Sequence, residues 1–168
     1  MARVQVYIAK SLDGYIAREN GTIDWLPQPS ESSFNTFYKS IDTVIMGKTT
    51  YDQILTFGSY PYQDKKSFVF TRTQKNNDKN VEFVSDVKKF VNDYLFKSEE
   101  NIWLVGGGKL IGTFLKLGVV DEIITTVIPI LLGNGISLFQ DIETDIKLKL
   151  VKTERYGPLV DLHYTVLK

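Results

Sequence analysis

The stretch that most constrains the fold of this chain is Gly106-Gly107-Gly108-Lys109-Leu110-Ile111-Gly112, which follows the apolar run Ile102-Trp103-Leu104-Val105. A short buried run, a glycine-rich break and then a helical periodicity read as a strand-turn-helix unit. Residues without Cβ let the backbone approach a ligand, and the first N–H groups of the helix have no intrahelical partner and carry the positive end of its dipole. Such a turn suits an anion, with diphosphate its usual occupant. The plainer alternative is a tight turn that packs a helix closely on a strand.

The segments around this turn alternate in period. Arg3 to Ala9 is β-rich and leads into a turn-prone loop with Asp13-Gly14 and Asn20-Gly21. Phe34, Phe37, Tyr38 and Ile41 recur at helical spacing behind Ser30, a fitting N-cap, with Glu31 in the first turn. Thr43 to Met46 reads as a buried strand ended by Gly47, and Thr49 to Phe57 as a helix. Ser67 to Phe70 and Val81 to Val84 are strand candidates around the polar run Gln74 to Asn80, read as a loop. Val87, Phe90, Val91, Tyr94 and Leu95 form a second clear helical stripe, and Leu110, Ile111, Phe114 and Leu115 a third, stopped by Gly118. Asp121 to Ile128 reads as a strand and Pro129 to Gly135 as a loop. The runs Ile146 to Tyr156 and Leu159 to Leu167 read as an antiparallel hairpin turned by Gly157-Pro158. The expected fold is a three-layer α/β/α domain over residues 1–168, its sheet mostly parallel with a C-terminal antiparallel hairpin.

Composition narrows the function classes. With 168 residues, 43% of them hydrophobic, the chain can bury one core without staples. Twenty basic and twenty acidic residues cancel and form no basic block, which argues against nucleic acid and an anionic membrane surface and favours a small-molecule substrate. Without cysteine there is no thiolate catalysis or zinc-thiolate site, and one histidine excludes a His-rich metal cluster, so no metal site is assigned. No apolar run reaches the ~18 residues of a membrane span, and the start Met1-Ala2-Arg3-Val4-Gln5-Val6 reads as a strand and not as a leader, so a cytoplasmic protein is expected.

Several further positions invite chemistry. Gly47-Lys48-Thr49 evokes a phosphate-binding P-loop, but that motif needs a glycine where this chain has Asp42. What survives is a strand-end glycine followed by Lys48, Thr49 and Thr50 at a helix start, again suited to phosphate. Gly106, Gly108 and Gly112 fit a dinucleotide fingerprint loosely: the spacing is one residue too long, and Asp121-Glu122 comes too early for the ribose-binding acid. Thr71-Arg72-Thr73 follows a strand and offers an arginine flanked by hydroxyls, a good binder of a phosphate monoester. Asp13, Asp24 and Glu31 are N-terminal acids near apolar residues that can shape a pocket, while Asp161, His163 and Thr165 read as the hydrated face of the last strand.

Taken in order, Val44-Ile45-Met46-Gly47-Lys48-Thr49-Thr50, Thr71-Arg72, Val105-Gly106-Gly107-Gly108-Lys109-Leu110 and Leu117-Gly118-Val119-Val120-Asp121-Glu122 resemble the dihydrofolate reductase superfamily. Ser11-Leu12-Asp13-Gly14-Tyr15-Ile16-Ala17 and Pro129-Ile130-Leu131-Leu132-Gly133-Asn134-Gly135 are similar to the branch typified by the C-terminal reductase domain of bifunctional riboflavin biosynthesis proteins. The resemblance implies NADPH as hydride donor, with its pyrophosphate on the helix starts after Gly47 and Gly108. It implies the 2′-phosphate near Lys48 and Arg72, within a cofactor set of Gly47, Lys48, Thr49, Thr50, Thr71, Arg72, Gly106, Gly107, Gly108, Lys109 and Leu110. It further implies a cis Gly106–Gly107 peptide and a substrate of the pterin or ribosyl-aminopyrimidine kind. Two acids stand as catalytic candidates: Glu31, nearest to the folate-type acid of the first helix, and Asp13, in the riboflavin-type loop. A true dihydrofolate reductase and an NADPH-binding sensor without catalysis are the alternatives, and the branch together with the long hairpin leaves room for a homodimer.

Overall fold

The computed structural model describes residues 1–28, 33–73 and 77–168. Eight strands form one sheet: β1 (Arg3–Ser11), β3 (Thr43–Gly47), β4 (Lys66–Phe70), β5 (Glu82–Val84), β6 (Asn101–Gly106), β7 (Glu122–Ile128), β9 (Leu148–Tyr156) and β10 (Leu159–Val166). Their spatial order is β5-β4-β3-β6-β1-β7-β10-β9. Every pairing from β5 to β7 is parallel, and β10 then joins antiparallel to β7 and to β9. This is the expected α/β sheet with its C-terminal hairpin.

Helices cover both faces because central strands such as Thr43-Val44-Ile45-Met46 are buried on both sides. Ile45, Val4, Val6, Ile102, Leu104 and Ile123 meet α3 (Val87–Phe90) and α4 (Gly108–Lys116) on one face. Val44, Met46, Val69, Trp103 and Ile124 meet α1 (Ser33–Lys39) and α2 (Lys48–Thr56) on the other. α3 continues as a wider π turn over Val91–Leu95, so the expected 87–95 stripe is one helical segment of two windings. The Ser30 cap and Glu31 lie outside the described residues.

Two short strands go beyond the sequence expectation. β2 (Tyr15–Ala17) and β8 (Ile136–Ser137) pair antiparallel in a sheet of their own. This small sheet draws the chain around Leu138 to Gln140 onto the start of α4. A Cβ on Gly112 would sit 2.2 Å from the carbonyl oxygen of Gln140, and one on Gly108 2.6 Å from that of Ser137. Backbone thus packs on backbone here, and the plain packing reading of the glycine turn holds for these two positions. Gly112→Ala is expected to destabilise the fold by about 1–3 kcal/mol through overpacking. For a chain of this size that is a fall in Tm of several degrees, on the order of 2–4 °C per kcal/mol. An unchanged denaturation midpoint would contradict this contact.

Candidate active site

The pairing of β3 with β6 builds the centre of the site. Register runs Thr43–Ile102, Val44–Trp103 and Ile45–Leu104, then slips so that Met46 faces Gly106. The strand-end glycines Gly47 and Gly106 to Gly108 therefore meet side by side. A Cβ on Gly47 would lie 3.6 Å from the Gly107 nitrogen, and one on Gly107 3.6 Å from Thr50 Oγ1. The Gly106–Gly107 peptide is cis. From these adjacent strands α2 leaves over one face and α4 over the other, which opens a crevice at the carboxyl ends of a parallel sheet. Neither helix has a side-chain cap, so both present free N–H groups and a positive dipole end to the crevice.

A cleft of about 1640 Å³ extends from this point. That exceeds the roughly 300–1,000 Å³ of a typical single-ligand pocket and leaves room for two ligands. All of the expected cofactor residues line it: Gly47, Lys48, Thr49, Thr50, Thr71, Arg72, Gly106, Gly107, Gly108, Lys109 and Leu110. Their charges are not equally free. Lys48 pairs with Asp52 one turn along α2, whereas Arg72 and Lys109 make no ion pair among the described residues. The small β2–β8 sheet supplies a rim through Ile16, Ala17 and Ile136.

The other end of the cleft is walled by rings. Tyr7 stacks on Phe37 with centroids 4.9 Å apart, and Trp103 meets Phe34 and Tyr62 edge-on at 5.2 and 5.3 Å. The Trp103 Nε1–H donates to the Tyr7 carbonyl oxygen at 3.2 Å, which fixes the indole against β1. Behind the rings sits Asp161, only 1% exposed. It accepts from Tyr7 Oη at 2.9 Å and from Thr126 Oγ1 at 2.6 Å. Burial, reinforced by the facing carboxylate, pushes the Tyr7 phenol up to about 12.

The reading of Asp161, His163 and Thr165 as a hydrated face is corrected by this arrangement. Asp161 opposes Thr126 on β7, a strand inside the sheet, so its side of β10 turns toward the cleft and not toward water. His163 and Thr165 are half-buried. Glu154, Asp161 and His163 do bring one potential ligand atom each within 4.8 Å of one another. Both carboxylates are already engaged, however: Asp161 by Tyr7 and Thr126, Glu154 by Tyr156 and Lys152.

Of the two acids singled out from sequence, Glu31 lies outside the described residues. Asp13 is placed away from the cleft lining. Its carboxylate accepts from Ser11 Oγ at 2.6 Å, from the Leu132 N–H at 3.2 Å and from the Gly133 N–H at 2.8 Å. The bond from Ser11, then those two N–H groups, hold its carboxyl below the usual value. Asp13 thus braces the loop after β1 against the loop after β7. Asp24 likewise pairs with Arg18 at 2.7 Å. Sequence reasoning missed Tyr7, Ser33, Thr126 and Asp161. The available signal was polar oxygen near the carboxyl ends of otherwise apolar strands, as at Thr126 in Ile123-Ile124-Thr125-Thr126-Val127.

The chain belongs to the RibD C-terminal domain family, whose model matches residues 60–162. It is 31% identical to a crystal structure of a candidate riboflavin biosynthesis protein from Shewanella sp. PV-4, with 99% of each chain covered and a TM-score of 0.86. A diaminohydroxyphosphoribosylaminopyrimidine deaminase/5-amino-6-(5-phosphoribosylamino)uracil reductase from Thermotoga maritima is similar at 18% identity and TM-score 0.72, over 99% of this chain and 57% of that one. Dihydrofolate reductase from Enterococcus faecalis, complexed with NADP(H), is similar at 17% identity and TM-score 0.69, over 99% and 97%. At those identities the likeness concerns the fold, which is that of the dihydrofolate reductase-like proteins.

Because the folded-state pKa of Asp13 is depressed, its brace is fully formed above the unfolded value of about 3.8 and fades as pH falls through the lower folded value. Asp13→Ala is expected to speed amide hydrogen exchange at Leu132 and Gly133 at neutral pH, with exchange in β1 unchanged. Unaltered protection at those two amides would show that the brace is not formed.

Proposed function

We propose that this chain is an NADPH-dependent reductase that acts on a small heterocycle of the pterin or ribosyl-aminopyrimidine kind. The observation that carries the reading is the convergence of two uncapped helix N-termini at neighbouring strand ends, inside a cleft large enough for a dinucleotide and a second ligand. Membership of the RibD C-terminal domain family supports it.

The residues fit the group they would hold. Gly107 leaves open the space between the two turns, and the N–H groups at the starts of α2 and α4 face a diphosphate there. Arg72, which makes no ion pair among the described residues, is the cation for a 2′-phosphate; Lys48 already shares its charge with Asp52. When bound, the dinucleotide supplies the hydride. The aromatic wall of Tyr7, Phe34, Tyr62 and Trp103 orients a flat ring and excludes water from it. Asp13 is no longer the acid of choice for this reading, since it braces a loop outside the cleft.

The test combines binding with turnover. NADPH is expected to raise Tm more than NADH, because each charge-assisted contact to the extra phosphate contributes about 1.5–3 kcal/mol, roughly tenfold to a hundredfold in affinity. Arg72→Ala should erase most of that preference while leaving the NADH shift in place. NADPH oxidation is then followed against dihydrofolate, aminopyrimidine ribosides and quinoid heterocycles, with turnover expected for a ring of this set. Stabilisation by neither cofactor would sink the reading.

Gly107→Ala separates the ligand role of the turn from its packing role. Its added Cβ meets only Thr50 Oγ1 at ordinary contact distance, so the variant should fold with a near-native Tm. It is expected to lose most of the NADPH shift, because the methyl group enters the diphosphate space. A full NADPH shift in the folded variant would return the turn to packing alone.

A further inference from the structure

Two Asn-Gly pairs stand in the sequence, Asn20-Gly21 and Asn134-Gly135, and both asparagines are exposed. An asparagine before glycine is prone to cyclise, because the next backbone nitrogen is within reach of the side-chain amide carbon and no neighbouring Cβ blocks the approach. The fold treats the two pairs differently. Asn20 Oδ1 accepts from the Thr22 N–H at 3.1 Å and from Thr22 Oγ1 at 2.8 Å, and the Gly21 N–H donates to the Arg18 carbonyl oxygen at 2.8 Å. Amide and nucleophile are thus both held in other bonds. Asp13-Gly14, which could cyclise in the same way, is restrained likewise: its carboxylate is bonded by Ser11, Leu132 and Gly133, and the Gly14 N–H donates to the Ser11 carbonyl oxygen at 3.0 Å. Neither the Asn134 side chain nor the Gly135 N–H makes a hydrogen bond among the described residues.

The chemistry needs only water. The Gly135 nitrogen attacks Asn134 Cγ, the N–Cγ bond forms, the Cγ–Nδ2 bond breaks, and ammonia leaves with the proton from the Gly135 N–H. Water then opens the five-membered succinimide at either carbonyl. One opening gives an aspartyl residue with the chain unchanged. The other gives an isoaspartyl residue, in which the main chain runs through the side-chain carbon and is longer by one methylene. Both carry a new carboxylate.

The place of this residue makes the longer chain matter. Just before it, Asp13 holds the Leu132 and Gly133 N–H groups. Just after it, Gly135 sits at φ +151° with its backbone pressed on β2: a Cβ there would lie 2.3 Å from the Ala17 carbonyl oxygen. Next comes β8, joined to β2 by the pairs Tyr15–Ser137 and Ala17–Ile136 alone. A methylene inserted between these two anchors moves Gly135 off Ala17 and takes so short a ladder out of register. We propose that Asn134 is a self-modification site, and that its isoaspartyl form releases β8 from β2 and so loosens the cleft rim formed by Ile16, Ala17 and Ile136. The proposal is independent of what the cleft binds.

The test incubates the full chain for days at mildly alkaline pH, folded and in urea, and follows both asparagines by peptide mass spectrometry. Isoaspartate is identified by methylation with S-adenosylmethionine and an isoaspartyl carboxyl methyltransferase. In the folded protein Asn134 is expected to convert while Asn20 keeps its amide; in urea the two should convert alike. Asn134→Gln should abolish the conversion at that position. The isoaspartyl form, separated by ion exchange through its added charge, should then show faster amide hydrogen exchange in β2 and β8, with β6 unchanged. Asn134→Asp, which adds the charge without the methylene, should keep the protection of the unmodified protein. An intact Asn134 amide in the folded chain, equal conversion of both asparagines there, or a difference that persists in urea would overturn the assignment of the site. Unaltered exchange in the isoaspartyl form, or equal loss of protection in Asn134→Asp, would overturn its coupling to the rim through the lengthened backbone.

Discussion

The parallel pairing of β3 with β6 is the constraint on which the rest of the site depends. Two strand-helix units are brought into neighbouring positions, and their helices leave on opposite faces of the sheet. Had both helices covered one face, their N-termini would have closed over the strand ends. With opposite faces, a crevice is left at their junction, and the slip after Ile45 moves Gly106 level with Met46 so that both glycine turns border it. Glycine on both sides matters through distance: a side chain at Gly47 or Gly107 would point into the space between the turns. The cleft is thus a consequence of topology, and its chemistry a consequence of which residues stand at the strand ends.

This explains which parts were legible in the sequence. Strand-turn-helix units announce themselves by a change of period at a glycine, so Gly47, Gly106 and Gly108 stood out, and the residues just after them shared one cleft. Arg72 was legible as a cation in the Thr71-Arg72-Thr73 turn that follows the strand Phe68-Val69-Phe70. Alternation in a terminal hairpin is less informative. Period two separates the faces of β10 but does not say which face meets water, because that depends on β7 and α1. Asp161 therefore looked solvated and is buried. Asp13 shows the opposite ambiguity: an acid beside a turn glycine also has a local use in bracing backbone N–H groups, and here that use engages both of its oxygens. The strands β2 and β8 carry only three and two residues, too few for a period to register.

The two ends of the cleft have opposite electrostatic character although the chain as a whole carries no net charge. At one end stand two helix N-termini, each equivalent to about half a positive charge, with Arg72 and Lys109 nearby. At the other stands Asp161, screened from water and wrapped by hydroxyls whose protons it holds. For the proposed reductase this segregation does two things at once. It draws a polyanionic dinucleotide to the glycine end, where N–H groups are free. It also disfavours an anion beside Asp161, since that buried carboxylate would repel it in a medium of low dielectric. In that proposed reductase, a dinucleotide and a flat substrate lying face to face for hydride transfer would be sorted by charge before any contact between them forms, and the aromatic wall would need only to hold the second one flat.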